Sequence, residues 1–113
     1  MRQMTKENRI KKELKRISKF FKDIPASQRE IVAPLLQNSA FMKVTLEDMQ
    51  EIINTEGVED EYRNGNSQYG TKPSAIVQAY NSMLKNYTTV TAKLLAMIPK
   101  EEEASRLEAF MNE

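Results

Sequence analysis

The stretch from Pro73 to Ile98 constrains this chain more than any other. It is bounded by Pro73 and Pro99, with no proline or glycine between them. Apolar or aromatic residues fall at Val77, Tyr80, Leu84, Tyr87, Leu94 and Ile98, and Thr91 takes the one polar step. These spacings alternate three and four, the a/d seam of a heptad pattern. Ile76, Met83, Val90 and Met97 repeat every seven residues beside the seam and widen it. The pattern predicts a helix of about 25 residues, roughly 37 Å long. So broad an apolar stripe cannot face water alone, so the helix needs partners from this chain or from copies of it.

The rest of the chain supplies candidates. Thr5 is the expected N-cap of a first helix running to about Asp23, with Ile10, Leu14, Ile17, Phe21 and Ile24 on one stripe. Pro25 ends it. Ser27-Gln28-Arg29-Glu30 has the form of a capping box for a second helix carrying Ile31, Val32, Leu35, Leu36, Ala40 and Phe41, with Pro34 near its start. Two helices joined by a short turn invite a helix-turn-helix reading, but the second is too apolar to read DNA and is expected in the core. Thr45 followed by Glu47 and Asp48 predicts the start of a third helix. That helix would end at Gly57, with Val58 making the hydrophobic contact of a Schellman ending. Residues 59–72 lose the helical period. Asn64-Gly65 is a hairpin signal, so Glu59–Arg63 and Ser67–Thr71 either pair as a ribbon or form an irregular loop. Tyr62 and Tyr69 would dock this segment on a helical layer. Pro99 fits the first position of a last short helix, with Glu101, Glu102 and Glu103 in its first turn and Leu107, Phe110 and Met111 as its apolar patch.

The expected fold is therefore mainly α: a bundle of four to five helices with a long central helix and either a small β-hairpin or a loop. The expected division is a basic N-terminal helix (1–24), a helical oligomerisation core (25–99) that includes the loop or hairpin at 58–72, and an acidic C-terminal helix or tail (100–113).

A net charge of +1 conceals an uneven distribution. Residues 1–22 hold nine Lys/Arg against two Glu, and the remainder holds eight against 14 acids. At about 100° per residue, Arg2, Arg9, Lys12, Lys15, Arg16, Lys19 and Lys22 lie opposite the apolar stripe, with no acid among them. Like charges on one face weaken a helix but suit a polyanion, whose counterions each contact releases. The candidate DNA-contacting residues are these seven together with Lys6 and Lys11. The competing readings are a solvated lysine face and a membrane-surface or calmodulin-type basic helix.

Catalytic chemistry finds little support. The chain has no cysteine and no histidine, which excludes disulfides, thiolate zinc sites and histidine-dependent triads. Gly65 to Lys72 resembles a P-loop, but the lysine does not follow the second glycine directly and Pro73 comes at once. Glu59-Asp60-Glu61 reads as a solvated acidic run before it reads as a metal site, because neighbours on a strand point to opposite faces. The glycosylation-like Asn86-Tyr87-Thr88 falls mid-helix. No cofactor is expected, and an enzyme is not. No apolar run approaches 18 residues and the basic N-terminus lacks an apolar segment, so neither a membrane partner nor export is expected.

The segment from Phe41-Met42 and Leu46-Glu47-Asp48-Met49-Gln50 through Gly57 resembles the small subunit of bacteriophage terminase, of the group in HNH-associated packaging modules. So do Glu61-Tyr62-Arg63-Asn64-Gly65, Gln68-Tyr69-Gly70-Thr71-Lys72-Pro73-Ser74, Tyr80-Asn81, Tyr87, Leu94-Leu95 and Ile98-Pro99-Lys100. The resemblance covers roughly half of the chain. It implies a non-catalytic, homo-oligomeric ring of about eight to ten subunits in the host bacterial cytoplasm. Such a ring binds double-stranded viral DNA at the start of packaging and recruits and regulates the large terminase subunit, the ATPase and nuclease. An HNH endonuclease is a further candidate partner. No residue-level DNA motif comes with the family, so the DNA assignment rests on charge alone. Ile76, Tyr80, Met83, Tyr87, Val90, Leu94 and Met97 are the candidate oligomerisation surface, and Leu107, Phe110 and Met111 the candidate docking surface for the large subunit. The alternative function is a helical protein–protein adaptor that does not bind DNA.

Overall fold

A computed structural model of the chain describes residues 4–63, 69–98 and 108–112, without the side chains of 62 and 63. Helix α1 spans Lys6–Ser18 and tightens into a 3-10 turn at Lys19–Phe21. Helix α2 spans Ala26–Glu56, and strands β1 (Glu59–Arg63) and β2 (Tyr69–Pro73) form an antiparallel ribbon. Helix α3, Ala75–Ala96, returns along α2, and residues 108–111 form a further helical turn. The chain is mainly α, as its periodicity predicts.

Thr5 caps α1 as expected, its hydroxyl accepting from the Asn8 N–H at 3.1 Å. The α1 stripe turns inward, with Ile17, Phe21 and Ile24 buried against Val32, Leu36 and Ala40 of α2 and Leu94 and Ile98 at the end of α3. One end of the molecule is thus a three-helix core. The second helix belongs to that core, as its apolar composition requires.

Three expectations about α2 are corrected. The second and third predicted helices are one 31-residue helix, which makes α2, at roughly 46 Å, the longest element. Pro25 takes the N-cap position without a side-chain bond, and Ser27 lies inside the helix. Arg29 does the tying instead, donating to the carbonyls of Lys22 at 2.8 Å and Ile24 at 3.3 Å. A guanidinium is favourable there because helix C-terminal carbonyls carry partial negative charge. Thr45 also lies within the helix, its hydroxyl buried and without a hydrogen-bond partner among the described residues. No helix breaker stands between Pro34 and Gly57, and burial of Val44 and Leu46 holds the helix through the supposed start.

Gly57 does end α2. Its φ of 86° and ψ of −174° are open essentially to glycine alone, and its N–H donates to Ile53 O at 2.8 Å. Val58, expected to make a hydrophobic contact there, is 57% exposed. The ribbon forms, with β1 as expected but β2 two residues later, pairing Glu59 with Pro73 and Arg63 with Tyr69. The register is set at the helix corner, where the Ser74 N–H donates to Val58 O at 2.9 Å. Tyr69 stands 71% exposed instead of docking on a helical layer; the Tyr62 side chain lies outside the described residues. Asp60 tethers the ribbon, its Oδ2 accepting from the Ala75 N–H at 3.3 Å. Ser74 caps α3 by accepting from the Ile76 N–H at 3.2 Å.

Candidate functional site

The cations of α1 divide into two sets. Arg9 reaches across to α2, its Nη1 donating to Asp48 Oδ1 at 2.6 Å and its Nη2 to Glu47 Oε1 at 3.2 Å. The bond to Asp48 raises the Arg9 pKa further, against the opposing effect of burial. Lys6 lies 4.0 Å from Asp48 and over the Phe41 ring, and Lys11 pairs with Glu7 at 3.5 Å. Arg16 donates from Nε and Nη2 to the two oxygens of Glu13, both at 2.8 Å. Arg9 and Arg16 therefore leave the face opposite the apolar stripe. Lys12, Lys15, Lys19 and Lys22 are exposed and make no ion pair among the described residues. Arg2 lies outside the described residues.

The four lysines are spaced three, four and three, a stripe about 15 Å long. Lys12, Lys15 and Lys19 line an open groove between α1 and α2 together with Arg9, Arg16 and Lys43, against two acids, Glu13 and Glu47. Lys43 is the functional candidate that sequence reasoning missed. It joins α1 only through the antiparallel packing of α2, placing its Nζ 3.4 Å from Glu13 Oε1. The usable signal was Glu13 at the edge of an apolar stripe, a position that asks for a cation.

Glu13 is buried, at 7% exposure. Burial pushes its carboxyl up, but the Arg16 hydrogen bonds and the Lys43 charge together outweigh that and hold it below its ordinary value. A buried carboxylate with such partners is anchored as an anion.

The other candidate surfaces are placed differently. Leu94 is core, Val90 and Met97 pack against that core, and Ile76, Tyr80, Met83 and Tyr87 are half-buried. The Tyr80 hydroxyl accepts from Gln50 Nε2 at 2.9 Å. Seven residues chosen for contact with a neighbouring subunit are thus largely engaged within the chain. The apolar residues that stay exposed are Leu84 and Leu95 on α3 and Ile31, Phe41 and Ile52 on α2. Phe110 packs edge-on against Phe20, ring centroids 5.6 Å apart, whereas Met111 is 80% exposed. Leu107, Asn64-Gly65 and Glu101 to Glu103 lie outside the described residues.

The arrangement offers a rigid cationic surface and, among the described residues, no cluster of three acids able to hold a metal ion. Asp60, from the acidic run considered for a metal, serves the α3 N-terminus. No described helix is long and apolar enough to cross a membrane. The sequence matches no family model, no curated protein and no solved structure.

Proposed function

We propose that this chain is a small terminase subunit: a non-catalytic homo-oligomer that holds double-stranded viral DNA and presents it to the large subunit. The observation that carries the DNA-binding part is the stripe Lys12, Lys15, Lys19 and Lys22, which makes no ion pair among the described residues and stands beside a groove lined by further cations. The bonds from Arg9 to Asp48 and Glu47 and from Lys43 to Glu13 fix α1 on α2, so the stripe is presented as a stiff row, suited to phosphates along a groove edge. The family assignment rests on the residue pattern running from Phe41 to Lys100. Association would draw on exposed Leu84, Ile52 and Phe41 in place of the inward row of α3.

Duplex binding measured by fluorescence anisotropy across a salt series tests the reading. Four phosphate contacts give a slope of log affinity against log salt near −3.6 for each engaged subunit. Replacing the four lysines by alanine should remove most of that slope while the helical circular dichroism is kept. Arg16 is left in place, because its loss would disturb Glu13. No salt-dependent binding by the wild-type chain would reject DNA binding. Light scattering at micromolar concentration tests the assembly, and a strict 13.1 kDa monomer would contradict it.

A second reading, a protein-binding adaptor, is favoured by one observation: Lys6, Arg9, Lys11 and Arg16 are already engaged by acids of the same chain. It predicts that the four-lysine variant retains partner binding and loses only solubility.

A further inference from the structure

Thr91 is the one polar step on the seam of α3, and its hydroxyl is buried without a hydrogen-bond partner among the described residues. Its neighbours show how a helical threonine avoids this. Thr88 and Thr89 donate back along the helix to the carbonyls of Leu84 at 2.8 Å and Lys85 at 3.1 Å. Thr91 makes no such bond and instead lines a cavity of about 260 Å³.

The cavity lies between α1 and α3, both of which pack chiefly on α2. Ile17, Phe20 and Phe21 line it from α1 and its 3-10 turn, and Tyr87, Leu94 and Ile98 from α3 and its end. Ser39 of α2, only 4% exposed, adds a second hydroxyl-bearing side chain to the lining. About 150 Å³ suffices for benzene, so the space takes an aromatic ring with substituents. The rings of Phe20, Phe21 and Tyr87 favour such a guest, because aromatic pairs gain from edge-on and offset contact. The site does not call for charge. Arg16, the one charged residue in the lining among the described residues, already donates to both oxygens of Glu13 at 2.8 Å. Its guanidinium carbon also lies 5.0 Å from the centre of the Phe110 ring, which completes the lining.

We propose that this cavity binds a neutral aromatic alcohol of the phenol class, its ring between α1 and α3 and its hydroxyl bonded to Thr91 Oγ1. Such a molecule supplies a bond to a buried oxygen, which a ring without the hydroxyl cannot do. Because it touches both α1 and α3, it also stabilises the three-helix end. The proposal is independent of the reading of the basic groove as a DNA site.

The test compares para-ethylphenol with ethylbenzene, which differ by one hydroxyl, on the full-length chain. In methyl ¹H–¹³C spectra, para-ethylphenol should shift the signals of Ile17, Leu94 and Ile98. It should raise the melting temperature as its concentration rises and bind about three- to ten-fold more tightly than ethylbenzene. Thr91→Val keeps the shape and removes the hydroxyl, so the preference should vanish, whereas Thr91→Ser should retain it. Methyl signals unmoved by millimolar para-ethylphenol overturn the site. Binding of ethylbenzene as tight as that of para-ethylphenol, or an undiminished preference in Thr91→Val, overturns the assignment of the hydroxyl to Thr91 and with it the proposed ligand class. Should Thr91→Val not fold, the wild-type comparison of the two molecules decides.

Discussion

Glu13 is the buried charge at the contact between α1 and α2, where Lys43 of α2 reaches it at 3.4 Å and Arg9 adds bonds to Glu47 and Asp48. Its folded pKa is depressed, so its contribution is present above the ordinary carboxylate value of about 4.5 and is lost as pH falls through the lower folded value. Thermal melts of wild type should therefore fall between pH 5 and pH 3 more steeply than those of Glu13→Gln. At pH 7 the same variant should lose about 1–3 kcal/mol, because it leaves Arg16 and Lys43 facing a weaker acceptor. Equal pH slopes for the two proteins would show that the pairing contributes nothing to stability. Gly57 is a second single-residue constraint. A Cβ there meets no neighbour within 4 Å, so any cost comes from backbone strain alone. Gly57→Ala is expected to lose about 1–3 kcal/mol in a denaturant titration.

At the scale of elements, capping grammar was readable at some helix starts and misleading at others. Thr5 and Ser74 are themselves out of the helical conformation, with ψ of 159° and 140°, and both make their bonds. Ser27 and Thr45 have the same local chemistry but lie where the backbone has no reason to leave the helix. A cap signal cannot report that Val44 and Leu46 are buried on either side of it. Paired variants measure the difference. Ser74→Ala should lose about 1 kcal/mol, whereas Thr45→Ala should be neutral or stabilising by a few tenths, since it removes a buried hydroxyl with no hydrogen-bond partner among the described residues and improves helix propensity. A loss of 1 kcal/mol at Thr45 would mean that the helix is interrupted there. The candidate site was legible to a similar extent. The spacing of Lys12, Lys15, Lys19 and Lys22 is local and was visible in the sequence. The diversion of Arg9 depends on Glu47 and Asp48, 38 and 39 residues away, and the seating of Phe110 on Arg16 depends on the whole chain folding back. The ribbon register was missed for a related reason: the corner bond from the Ser74 N–H to Val58 O joins residues far apart in sequence.

As a whole the molecule is long for its mass. Its radius of gyration is 18.7 Å and its extents are 64 × 34 × 26 Å, against roughly 13 Å expected for a compact chain of this length. Three helices meet around Ile17, Phe21, Val32 and Leu94, while the other end is two helices and a ribbon. Hydrogen exchange should reflect this, with slow amides around Val32 to Ala40 and Leu94, and faster ones toward Glu56 and Ala75. Uniform protection along α2 in the isolated chain would contradict it. The asymmetry also makes the molecule modular in length. The lysine groove belongs to the three-helix end, and the ribbon hangs from the far ends of α2 and α3 by its own corner bonds. Adding or removing one heptad in both helices beyond the core would move the ribbon by about 10 Å and leave the groove untouched. The separation of the two surfaces is a dimension that an evolving or engineered lineage can reset without redesigning either end.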